Sequence, residues 1–149
     1  MKNYISRNCL LSIAIVACFV LSTCSAREAE EEASKNWQFG LEYHVHVING
    51  FKKNTKPLMV HCWSKQDDIG QHSLNVDQEI TWHFKVRFDG TTLFICDVKQ
   101  GEHAKHFDAF DAQVEGSKCA EFGKCYWLVA EGGFYFSTDN FTWFKQYDW

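Results

Sequence analysis

Several groupings in this 149-residue chain combine residue types that can do chemistry. His61 and Cys62 are adjacent at the end of an apolar run, just ahead of Asp67 and Asp68. Neighbouring side chains of an extended strand point to opposite faces, so His61 is not placed to activate a Cys62 nucleophile. Cys62 shares the apolar face of Leu58 and Val60 and has other cysteines to pair with. His44 and His46, two apart, would put two imidazoles on one strand face, a spacing that zinc or copper accepts. The missing ligands would have to come from His61, His83 or an acid on an adjacent strand, so a polar outer face is the favoured reading. Asp67-Asp68 hints at calcium, but adjacent acids lack the alternate spacing of a dedicated calcium loop. Asp108 and Asp111, in HFDAFDA, are read as turn formers as readily as a carboxylate pair of the glycosidase kind. The chain carries no Gly-rich phosphate loop, no G-x-S-x-G and no H-E-x-x-H. No catalytic site, no metal site and no cofactor is therefore expected.

One motif does carry covalent chemistry. Asn140-Phe141-Thr142 is an N-glycosylation acceptor and follows a turn-forming Ser-Thr-Asp.

The elements that would position these residues begin after a leader. Lys2 and Arg7 precede an apolar run over residues 10–24, and Cys24-Ser25-Ala26 supplies small residues for cleavage. Residues 1–26 thus read as a secretory signal peptide, too short in its apolar part for a bilayer span of about 20 residues. Residues 27–36 are acidic and lack apolar periodicity, so they read as a solvated tail. Residues 37–149 are the expected domain. Loss of Lys2 and Arg7 takes the formal charge from −4 to −6, which argues against nucleic acid or an anionic membrane as partner. It also removes Cys9, Cys18 and Cys24, leaving Cys62, Cys96, Cys119 and Cys125. Four cysteines in an oxidising compartment make two disulfides, with three connectivities open.

The rest of the chain reads as strands. Leu41, Tyr43, Val45 and Val47 alternate with Glu42, His44 and His46. Ile80, Trp82, Phe84, Val86 and Phe88 alternate with Thr81, His83, Lys85 and Arg87, the longest clean alternation present. Asp89-Gly90 then predicts a two-residue hairpin turn, with residues 92–98 returning as the partner strand. Strands over 58–62, 126–130, 133–137 and 141–147 complete the set, and no segment holds a helical period. An all-β fold follows, a small antiparallel β-sandwich of about seven or eight strands closed by two disulfides.

VHCWSKQDDIG at 60–70, TTLFICDV at 91–98, HFDAFDA at 106–112 and Cys119 followed by Cys125-Tyr-Trp resemble the plant self-incompatibility S1 family, the S-protein homologues. Trp82 and Phe84 occupy the family's W-x-F positions, and the resemblance runs from Tyr43 to Trp143. It implies a secreted β-sandwich whose best-known members are pistil ligands for a pollen surface receptor. Three departures concern the displayed surface. Asp97-Val98-Lys99-Gln100 stands where the family usually has F-x-W, Trp63 replaces a lysine, and Gln66 replaces the first acid of the acidic run.

The expected function is a secreted, non-enzymatic ligand. It would act as a monomer, presenting charged loops to a cell-surface protein receptor. Residues 64–70 read as a held-out loop, with Gly70 supplying a conformation other residues resist. Its recognition residues are Lys65, Gln66, Asp67, Asp68 and Ile69, seconded by the 52–56 loop and a 102–105 turn. A carbohydrate-binding module, with Trp63 as an exposed stacking ring, is the alternative.

Overall fold

The computed structural model describes residues 40–53 and 56–149; the expected leader, the acidic tail and the first residues of the expected domain lie outside them. Alternating apolar positions build two sheets that bury one face each. The first sheet holds β1 (Glu42–Asn49), β4 (Glu79–Lys85), β7 (Lys124–Ala130), β8 (Gly133–Ser137) and β9 (Phe144–Tyr147), in the order β4-β1-β7-β8-β9. The second holds β2 (Leu58–Trp63), β3 (Asp68–Leu74), β5 (Leu93–Gln100) and β6 (His103–Asp111), in the order β3-β2-β5-β6. Every pairing is antiparallel except β1 with β7. The fold is the expected all-β sandwich with two disulfides, and the nine strands among the described residues exceed the expected number.

Between the sheets lies a core of aromatic rings. Phe107 of β6 meets Trp127 of β7 at 4.9 Å and Phe134 of β8 at 5.0 Å, while Phe110 meets Tyr43 at 4.9 Å. Rings at such separations add about 1 kcal/mol each beyond the area they bury. Their polar ends are satisfied: Trp127 Nε1 donates to the Ala109 carbonyl and the Tyr43 hydroxyl to that of Gly116, both at 2.8 Å. Cys62–Cys96 joins β2 to β5 within one sheet, and Cys119–Cys125 ties the helix α1 (Glu115–Cys119) to β7. By chain entropy the first closes the longer loop and contributes about 4 kcal/mol, the second about 2 kcal/mol.

Five sequence expectations need correction. The strand before Asp89-Gly90 and the strand after it do not form a hairpin: β4 pairs with β1, and β5 pairs with β2 and β6. The turn is a corner between sheets, closed by Gly90 N–H to the Arg87 carbonyl at 3.0 Å and by Arg87 N–H to the Thr92 hydroxyl at 2.9 Å. Phe88, expected inside, is 80% exposed because the strand has already ended at Lys85. HFDAFDA is not a turn region but the end of β6, with Asp108 inside the strand and Asp111 at its last position. The 102–105 turn is shorter than expected, since β6 begins at His103. The held-out loop ends at residue 67, because Asp68 and Ile69 open β3.

Candidate recognition surface

The 64–67 turn is closed by its own serine. Ser64 Oγ accepts the N–H of Asp67 at 2.9 Å and of Gln66 at 3.2 Å, and the Ser64 N–H donates to the Asp67 carbonyl at 2.7 Å. This fixes the backbone while leaving Lys65, Gln66 and Asp67 exposed. A register shift between Cys62 and Trp63 follows, and Gly70 absorbs it at φ 86°, a left-handed conformation. Asp68 is engaged locally, its Oδ1 accepting the Gly70 N–H and meeting the His61 imidazole, each at 2.8 Å. The Gly70 amide, with the His61 hydrogen bond second, holds the Asp68 carboxyl below its usual range. Ile69 packs partly against the core. Of the five residues expected to recognise a partner, then, three stand on the turn and two are strand residues.

Across from the turn lies the β4–β5 corner. Together they wall a cleft lined by Trp63, Lys65, Asp67, Lys85, Arg87 and Leu93, among others. The corner is as rigid as the turn. Asp89 accepts the Thr91 hydroxyl at 2.7 Å, the Thr91 N–H at 3.1 Å and two guanidinium nitrogens of Arg87 at 3.2–3.3 Å. Those bonds, the Thr91 hydroxyl foremost, pull the Asp89 carboxyl down to about 2. Sequence reasoning misses this wall because Asp89-Gly90 signals a hairpin within one sheet.

The seconding segments stand elsewhere. Residues 54 and 55 of the 52–56 loop lie outside the described residues; Gln100 Nε2 donates to the Lys56 carbonyl at 2.9 Å, which brings Lys56 and the β5–β6 turn together at the start of β2, the end opposite the 64–67 turn. Lys105 is a half-buried β6 residue rather than a turn residue, its ammonium 5.6 Å from the Tyr147 ring.

The remaining candidates fall into place individually. The four cysteines are disulfide-bonded. His44 stacks on His83 at 5.6 Å, and His46 bonds Glu79 at 3.3 Å while stacking on Tyr126. Among the described residues no group of three or more His, Cys, Asp or Glu side chains is placed to hold a metal ion. Asp111 Oδ1 accepts the Gln113 N–H, while Asp108 is exposed on β6. Trp63 is half-buried between the rings of His61 at 4.9 Å and His106 at 6.0 Å. Asn140 is exposed at φ 63° in the turn between β8 and β9.

With this geometry established, comparison with known proteins places the chain. The sequence profile of plant self-incompatibility protein S1 matches residues 44–149. The chain belongs to that family. It is similar to S-protein homolog 21 of Arabidopsis thaliana, 35% identical over 97 residues, spanning 64% of this chain and 73% of the relative. S-protein homolog 24 of the same plant is 26% identical over 151 residues, covering all of this chain and 93% of the relative. Among solved structures, a member of the self-incompatibility protein homologues superposes with a TM-score of 0.57 at 18% identity, over 74% of this chain and 96% of its own. That structure represents small, highly stable, secreted plant proteins.

Proposed function

We propose that this S1-family chain is a non-enzymatic, monomeric ligand that presents the 64–67 turn and the 87–93 corner to a cell-surface protein receptor. The observation that carries the reading is the cleft those two segments form. Charged side chains of both signs, Lys65 and Asp67 on one wall and Lys85 and Arg87 on the other, converge on a frame pinned by the Cys62–Cys96 bridge. Rigid strands with charged loops at one end suit recognition, where complementary charges govern encounter rate and partner choice. The Asp89 carboxylate is engaged by Thr91 and Arg87 and the cysteines are engaged with one another, so neither is left as a nucleophile at this cleft.

The test is saturable binding of labelled, oxidised protein to intact plant cells, with unlabelled protein as competitor and protease-treated cells in parallel. Binding lost after protease and weakened by replacing Lys65 and Asp67 together supports the receptor reading. Binding unchanged in that double variant would remove the cleft from the account.

A further inference from the structure

The outer face of the β3-β2-β5-β6 sheet carries a second concavity that shares no lining residue with the recognition cleft. It is an open depression of about 1030 Å³, at the upper limit of the usual size range for a small-ligand site. Its centre is a row of polar side chains that the strand registers set side by side. Gln71 of β3 faces His61 of β2, His61 faces Asp97 of β5, and Asp97 faces His106 of β6. Strands lie about 4.8 Å apart, so amide, imidazole, carboxylate and imidazole follow one another at close to the length of a pyranose ring.

The row is held in place before any ligand arrives. His106 Nδ1 and Asp97 Oδ1 are 2.7 Å apart, and His61 Nε2 and Asp68 Oδ1 are 2.8 Å apart. Hydrogen bonds of this kind fix both carboxylates and both rings, which lowers the ordering cost of binding. Along β2 the row is bordered by Met59, so apolar surface adjoins the polar strip. None of the exposed large hydrophobic side chains among the described residues lines the depression, which does not suit the apolar centre of a protein interface. Charge narrows the ligand further. Lys56, Lys99 and Lys105 stand against Asp97 and Glu102, so the site offers donors and acceptors with little net attraction for an ion.

We infer that this face binds a neutral oligosaccharide, with sugar hydroxyls bonded across Gln71, His61, Asp97 and His106 and a ring C–H face against Met59. The site is independent of the receptor reading, since the two concavities can be altered separately.

Calorimetric titration with neutral hexasaccharides (gluco-, xylo- and manno-configured) and with an oligogalacturonate of equal length tests it. The wild-type protein is expected to bind at least one neutral oligomer saturably. Asp97→Asn, which keeps the shape and removes the charge, is expected to bind about tenfold more weakly, as loss of a charged acceptor predicts. Gln71→Ala should also weaken binding, and Lys124→Ala, on the outer face of the other sheet, should leave it unchanged. No neutral oligomer bound, only the oligogalacturonate bound, or equal affinity in Asp97→Asn and Gln71→Ala to that of wild type would each overturn the inference. Thermal unfolding of each variant separates loss of a contact from loss of the fold.

Discussion

Two short connections in this sandwich are built from the same materials and organised differently. Residues 64–67, between β2 and β3, and residues 138–143, between β8 and β9, both turn on a serine hydroxyl and an aspartate. In the second, Asp139 is consumed by the turn. It accepts the N–H of Thr142 at 2.7 Å and of Phe141 at 2.8 Å, together with the Ser137 and Thr142 hydroxyls at 2.8–2.9 Å. In the first, Asp67 Oδ2 receives only a long 3.5 Å contact from Ser64, and the neighbouring Asp68 does the structural bonding instead. An exposed acid is therefore not one kind of residue. Asp139 organises backbone, and Asp67 is available to a partner.

The contrast predicts that the β8–β9 connection carries stability. The largest effect is expected for Gly133→Ala at the start of β8. Gly133 has φ 123°, and an added Cβ would fall on the carbonyl oxygen of Tyr147 in β9. Backbone cannot move aside as a side chain can, so a loss of about 3 kcal/mol is expected in denaturant unfolding. Asp139→Ala comes next and should lower Tm by several degrees, because the Phe141 and Thr142 N–H groups lose their acceptor. A Tm unchanged in Asp139→Ala would erase the distinction between the two turns.

Acid titration sharpens the same point. Backbone N–H groups, that of Thr142 first, hold the Asp139 carboxyl well below the usual carboxylate range, and Asp89 is held at about 2. A carboxyl with a depressed folded pKa is protonated first in the unfolded chain, so the unfolded state takes up more protons as pH falls. The associated stability is present above about pH 4 and is lost as pH falls toward 2. Tm measured from pH 5 to pH 2 should fall across that window, and Asp139→Asn should fall less steeply than wild type.

How much of this is legible in the sequence follows from where period-two alternation survives. β1, β2, β4 and β7 keep it and are readable, as is the even set of four cysteines. β6 is not, because Ala109 and Phe110 are both buried where the β5–β6 register shifts, and consecutive buried residues erase the pattern. β3 is an edge strand whose DIGQHSL has little apolar content to alternate. Asp89-Gly90 announces a turn correctly, but a turn dipeptide does not say which sheet the chain enters next. The recognition cleft inherits that error: its turn is visible in the sequence, and its opposite wall is not. The disulfide pairing requires the register, since Cys62 and Cys96 become neighbours only once β2 pairs with β5.

The smaller effects belong to the β2–β3 connection. Gly70→Ala forces a left-handed alanine into open space, with His72 Nε2 the nearest atom at 4.0 Å, so only backbone strain of about 1 kcal/mol is expected. Asp67→Ala should leave Tm unchanged, since surface substitutions away from hydrogen-bonded caps have little effect on stability. Its consequence is expected in receptor binding: a severalfold slower association rate that converges on wild type at high salt, as for a charge acting on encounter. Asp68→Ala should do the reverse, lowering Tm by releasing Gly70 and His61 while changing association little. If Asp67→Ala lowers Tm as much as Asp68→Ala, the turn is structural throughout, and recognition must be sought on the opposite wall, at Lys85 and Arg87.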